Sequence, residues 1–112
     1  MADTQDAIQG TYDAATGTVI GFLRPQSYGR RITSIVIQGP RRSTFKLYRG
    51  ERASATNQLS ATPTGGGGDN TYDSTTDGAP VNVGAGEQVV GIWSGGETGA
   101  GSTGTAVVRS VY

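Results

Sequence analysis

Polar and apolar residues alternate along much of this chain with the period of two that belongs to strands. From Gly17 to Pro25, Thr18, Ile20 and Phe22 fall on one side and Val19 and Leu23 on the other, and Pro25 ends the run. After a turn at Gln26-Ser27-Tyr28-Gly29, the residues Arg31 to Ile37 predict a second strand. Simple alternation puts Ile35 and Ile37 on one face of it and Ile32, Ser34 and Val36 on the other, and Gly39-Pro40 stops it. Ser43 to Arg49 alternates most cleanly, with Phe45 and Leu47 inward and Thr44, Lys46 and Tyr48 outward, the mark of a half-solvated antiparallel strand.

Past Gly50 the pattern weakens. Gln58 to Thr62 could form a short strand, but Gly65 to Gly68 and the polar residues through Gly78 cannot bury a core, so the region reads as a long excursion loop. Ala79-Pro80-Val81-Asn82-Val83 predicts a short strand with proline near its start, where a missing amide donor is tolerated. Gly84-Ala85-Gly86 turns the chain into Glu87 to Trp93, a strong strand. A second Gly-rich loop, Gly95 to Gly104, precedes the last strand, Thr105 to Tyr112. No run has apolar positions at helical spacing.

These elements predict an all-β protein: a single β-sandwich, jelly-roll-like, of six to eight short antiparallel strands with two long Gly-rich loops. The sequence divides into an N-terminal arm, residues 1–16, and a β-sandwich domain, residues 17–112. A length of 112 residues suits one domain, and an apolar share of 34% is low enough that some apolar surface is expected to be covered by neighbours.

Charge changes the picture more than length does. Net charge is zero, yet Arg24, Arg30, Arg31, Arg41, Arg42, Lys46, Arg49 and Arg52 are eight of the nine positive residues, with Glu51 the one acid among them. Asp3, Asp6 and Asp13 precede this band; Asp69, Asp73, Asp77, Glu87 and Glu97 follow it. Segregated charge suits docking on a complementary surface, and arginine is enriched at protein interfaces because it pairs bidentately with carboxylates. The interface residues expected on this ground are Arg24, Arg30, Arg31, Arg41, Arg42, Arg49 and Arg52. Phosphate contact is the weaker reading of the same band: net charge is zero, and only Tyr28 and Tyr48 offer nearby rings.

The chain has no cysteine and no histidine, which removes disulfides, thiolate nucleophiles, imidazole bases and the two commonest zinc ligands. An enzyme would then need a tuned carboxylate pair or a Ser/Lys arrangement; the one lysine, Lys46, has no Ser-x-x-Lys before it, and Glu87 and Glu97 cannot be brought together by spacing. No catalytic residue, cofactor or metal is therefore expected. Asp69, Asp73 and Asp77 recur every four residues in an oxygen-rich loop but lack the alternate spacing and closing Glu of an EF-hand, and Asp favours turns in any case. Gly65 to Gly68 has no following Lys-Ser/Thr, so it is not a phosphate loop. Trp93 could stack on a sugar, which makes a carbohydrate-binding module the alternative function, although a tryptophan after Val89-Val90-Gly91-Ile92 more often packs in a core. The first ten residues lack the apolar run of a secretory signal, and no segment reads as a membrane span.

The segments APVNVGAGEQVVGIWSGG, RRITSIVIQGP and FKLYRG together resemble small jelly-roll virion proteins of tailed bacteriophages, in which a hairpin ends at a Gly-Glu or Gly-Gln turn, a strand closes on Trp, and a Gly-rich loop leads to the last strand. The resemblance runs from Thr18 onward. It implies a structural virion protein that decorates and stabilises a phage capsid by binding major capsid subunits, commonly as a homotrimer. It also implies location on the capsid exterior after synthesis in the host cytoplasm, with no nucleic-acid or membrane partner. A head-fibre base, a connector or a tail component would reuse the same kind of domain.

Overall fold

Alternating β-branched residues build nine strands in a computed structural model, which describes residues 3–50, 58–60, 70–73 and 81–112. They are β1 (Asp3–Asp13), β2 (Thr18–Leu23), β3 (Arg30–Gln38), β4 (Thr44–Arg49), β5 (Gln58–Ser60), β6 (Asn70–Asp73), β7 (Val81–Val83), β8 (Val89–Ser94) and β9 (Thr103–Val111). All pair antiparallel in one sheet of order β5-β4-β8-β2-β1-β9-β3-β6, with β7 also on β3. No helix occurs among the described residues.

The connection between β3 and β4 requires this sheet to curl. Five strand spacings separate them along the sheet, about 24 Å if it were flat. Residues 39–43 must bridge that gap while making a hydrogen-bonded turn, Ser43 N to Pro40 O at 3.2 Å, which leaves them far short of the distance. The sheet therefore bends into a half-barrel whose two sides face each other, and the expected all-β, sandwich-like fold is present as one continuous sheet. Ile8, Val19, Leu23, Ile32, Ile35, Phe45, Leu47, Val89, Trp93 and Val108 from both sides meet in a single core.

Trp93 sits at its centre, with no exposed surface. Its ring packs on Phe45 with centroids 4.6 Å apart, and it is admitted by three glycines. A Cβ at Gly10 would lie 2.7 Å from the ring, one at Gly39 2.5 Å from Nε1, and one at Gly104 2.7 Å from Cε2. Strands β1, β8 and β9 and the end of β3 thus converge on one side chain, closing the curl.

Two expectations need correction. The segment 1–16 is not an arm outside the domain: its residues Asp3–Asp13 form β1, a strand interior to the sheet that pairs with β9 from Asp3↔Val111 to Thr11↔Thr103 and with β2 at Thr11↔Ile20. The strand lacks an apolar stripe because two inward positions are taken by Asp6, which is neutralised by Arg30, and by Gly10, which makes room for Trp93. The second correction concerns β3. Its pairing with β9 skips Thr33, moving from Ile32↔Ser110 to Ser34↔Arg109, and this bulge turns Ile32 to the same buried face as Ile35 and Ile37.

In β2 and β4 the alternation holds, whereas β8 is buried throughout from Val89 to Trp93. Val19 and Leu23 are inward with Phe22 outward, and Phe45 and Leu47 are inward with Lys46 and Tyr48 outward. The excursion after Gly50 contributes β5 to the edge of β4 and β6 to the edge of β3; the rest of it, including Gly65 to Gly68, lies outside the described residues.

Candidate functional site

The pairings sort the connections onto two ends. The terminal end holds Asp3 and Tyr112, the β2–β3 loop, the close of β4 at Arg49 and the β7–β8 turn. The turn end holds residues 14–17, the β3–β4 turn 39–43 and the β8–β9 loop 95–102. Antiparallel order therefore splits the basic band: Arg24, Arg30, Arg31 and Arg49 lie at the terminal end, Arg41 and Arg42 at the turn end, one strand length apart. Strands of six to nine residues make that separation roughly 20–30 Å. Arg52 lies outside the described residues.

Arg30 is not a surface residue. Its side chain is 1% exposed, and Nη1 donates to Asp6 Oδ2 at 2.8 Å while Nη2 donates to the Arg24 carbonyl at 2.7 Å. Gln26 Nε2 also donates to Asp6 Oδ2, at 3.3 Å, and the Gln26 carbonyl accepts from Gly86 N at 2.7 Å. One buried ion pair thus ties β1, β3 and the β2–β3 loop together, and that loop holds the β7–β8 turn. The expectation that Arg30 contacts a partner is replaced by this structural role, which alternation alone hides, because the Thr33 bulge is what turns Arg30 and Ile32 to the inward face.

Arg49 is engaged as well. Its Nη1 reaches both oxygens of Glu87, at 2.7 and 2.5 Å, and Gly50 N donates to Gln88 O at 2.8 Å, so the end of β4 is latched to the turn before β8. Both partners are partly exposed, and such a pair contributes about 0.2–1 kcal/mol. Glu97 stands at the other end beside Arg41, so Glu87 and Glu97 do not form a carboxylate pair.

Arg24, Arg31, Arg41 and Arg42 remain exposed. Arg41 Nε lies 3.7 Å from Glu97 Oε2, with both side chains more than half exposed, a contact of little energy. Arg42 is different. Its φ of 62° makes it the one non-glycine residue in the left-handed region among those described, a conformation costing an L-residue roughly 1–2 kcal/mol. The turn is fixed by Ser43 Oγ donating to Pro40 O at 2.7 Å and by Glu97 N donating to Arg41 O at 2.9 Å. Gly96, itself at φ 59°, lies so close that a Cβ there would be 2.6 Å from the Arg42 carbonyl oxygen. Packing of one loop on the other holds Arg42 in its strained form. Among the described residues its guanidinium makes no ion pair.

The outward face between the ends carries few charges, with Lys46 on β4 and the exposed Arg109 on β9, opposite Gln5, as its cations. Rows across it read Lys46, Ile92, Ile20 and Thr11, then Tyr48, Val90 and Phe22; Ile92 and Val90 are buried on this side as well, while Phe22 is 46% exposed. On the other side of β1 the rows are Gln9, Thr105, Gln38 and Ala7, Val107, Val36. Tyr112 stacks on Tyr28 at the terminal end, centroids 4.2 Å apart, a pair that the sequence gives no means of matching. Trp93, buried in the core, is not available to a sugar. Of the three aspartates weighed as calcium ligands, Asp73 belongs to β6 and Asp69 and Asp77 lie outside the described residues. The chain matches no protein-family model, no curated protein and no solved structure.

Proposed function

We propose that this chain is a structural virion protein that decorates and stabilises a bacteriophage capsid, binding major capsid subunits by its exposed arginines and joining sister subunits as a homotrimer. The observation that supports this most is the disposition of charge: Arg24, Arg31, Arg41 and Arg42 lie at the two ends of a scaffold whose outer face is sparsely charged, with Lys46 and Arg109 its cations. Rigid strands that present most of their cations at the ends, with a sparsely charged face between, suit docking on acidic protein surface, where charge sets register and approach. That face, with Phe22 and Val36 the most exposed apolar side chains of β2 and β3, is the surface offered to neighbours in the shell.

The test is sedimentation of the purified protein with undecorated heads of a tailed phage, with a soluble glycan array in parallel. Stoichiometric co-sedimentation that weakens with salt supports decoration. Absence from the heads together with clear glycan retention would replace it with a carbohydrate-binding module, built on the stack of exposed Tyr112 on half-buried Tyr28 in place of the buried Trp93.

A further inference from the structure

We infer that the turn end is the docking end and that Arg42 is its anchor, gripping a carboxylate of the partner protein. The inference rests on the protein-docking reading above and narrows it from the exposed arginines to one. Its ground is the backbone at Arg42. A left-handed position on an exposed turn is most stable with glycine or asparagine, yet this chain keeps arginine there, and builds the turn to hold it. Ser43 closes the turn onto Pro40, Glu97 N binds the Arg41 carbonyl, and Gly96 is pressed against the Arg41 and Arg42 backbone, where any side chain would collide. Strain retained by a surrounding structure that over-determines it points to function, since stability alone selects against it.

Local charge selects the ligand class. Arg41 is offset by Glu97 and Asp13 caps its own turn by accepting from Ala15 N, so Arg42 is the one guanidinium at this end without a carboxylate among the described residues. A phosphodiester backbone brings a row of anions and would meet Glu97 and Asp13 beside only two cations, Arg41 and Arg42, the first of them shared with Glu97. One bidentate carboxylate matches one planar guanidinium. At the terminal end Arg30 and Arg49 are already paired, and Arg24, Arg31 and the nearby Arg109 sit on ordinary backbone; these three are the competing site.

The substitution Arg42→Gly separates the two properties, because it removes the guanidinium and relieves the backbone. The variant should melt at the wild-type temperature or a few degrees higher. Its affinity for undecorated phage heads should fall about tenfold to hundredfold, the loss of one charge-assisted contact. Arg42→Lys should recover only part of that, while the pair Arg24→Gln and Arg31→Gln should bind within about twofold of wild type. Heads bound equally by wild type and Arg42→Gly would overturn the inference and leave decoration standing, as would loss confined to the Arg24/Arg31 pair. If wild type ignores the heads, decoration falls, and immobilised poly-L-glutamate decides the inference: selective loss of retention for Arg42→Gly supports it, equal retention refutes it. A 30-base-pair DNA duplex is the third probe; Arg42-dependent binding to it and not to carboxylate would make phosphate the ligand and overturn the assignment.

Discussion

Alanine at Gly104 should destabilise this protein while the same change at Gly84 should not, and the difference follows from one ring. A Cβ at Gly104 would lie 2.7, 2.8 and 2.9 Å from Cε2, Cδ2 and Cζ2 of Trp93. The ring has nowhere to retreat: it is fully buried, packed at a tilt on Phe45, and flanked by Gly10 and Gly39, where a Cβ would also collide with it. Overpacking of this kind costs about 1–3 kcal/mol, against which the stiffer unfolded chain returns about 0.4–1 kcal/mol. The net loss is then about 1–2 kcal/mol, or roughly 4–10 °C in melting temperature for a domain of this size. Gly84 has nothing within 4 Å of its notional Cβ and its φ is not positive, so alanine there should be neutral or slightly stabilising. Thermal melts followed by far-UV circular dichroism, with urea titrations to obtain ΔG, compare the two. Repeating Gly104→Ala in a Trp93→Phe background should shrink its cost, because contacting residues couple. A Gly104→Ala variant as stable as wild type would refute the packing account.

Three further outcomes follow from the same structure. Removing Asp6 as Asp6→Ala strands a guanidinium that is 1% exposed, whereas Arg30→Met strands a carboxylate that is 23% exposed; denaturant titration should show the first costing more, about 3 kcal/mol against about 2 kcal/mol, and the reverse order would contradict the burial assigned to the pair. Deleting residues 1–13 should abolish folding, seen as loss of dispersed amide resonances, because β1 lies between β2 and β9; a folded remainder would return this segment to the role of an arm. Deleting Thr33 should shift the urea midpoint little, by less than about 1 kcal/mol, since Ile32 and Ile35 would then stand two residues apart on one buried face of a regular strand and keep the pairings Ile32↔Ser110 and Ser34↔Arg109; a cost of about 3 kcal/mol or more, that of turning Ile32 outward, would count against the register.

Much of the fold was legible because several strands keep a strict period of two: Val19 and Leu23, Phe45 and Leu47, and Ala106 and Val108 are inward as alternation requires. What escaped was whatever depends on contacts between distant residues. β1 hides its inward face because Asp6 and Gly10 hold positions where an apolar residue would have advertised a strand; their fitness is conferred by Arg30 and Trp93, far along the chain. The bulge at Thr33 leaves no local mark, since nothing in Arg31 to Ile37 distinguishes a regular strand from one with an extra residue. The basic band was visible as composition but not as geometry. A run of arginines over β2, β3 and β4 reads as one patch until antiparallel order sends its members to opposite ends. Arg30 shows the limit most plainly: the same residue type that reads as a docking cation in sequence is buried by Asp6, and Arg42 is singled out only by its φ.

The measurement that bears most directly on the account is co-sedimentation of the wild-type protein with undecorated phage heads across a salt series from 50 to 500 mM. The account predicts saturable binding at a fixed number of copies per capsid subunit, weakening as salt rises. Failure to sediment with the heads at low salt, or binding that never saturates, would contradict it.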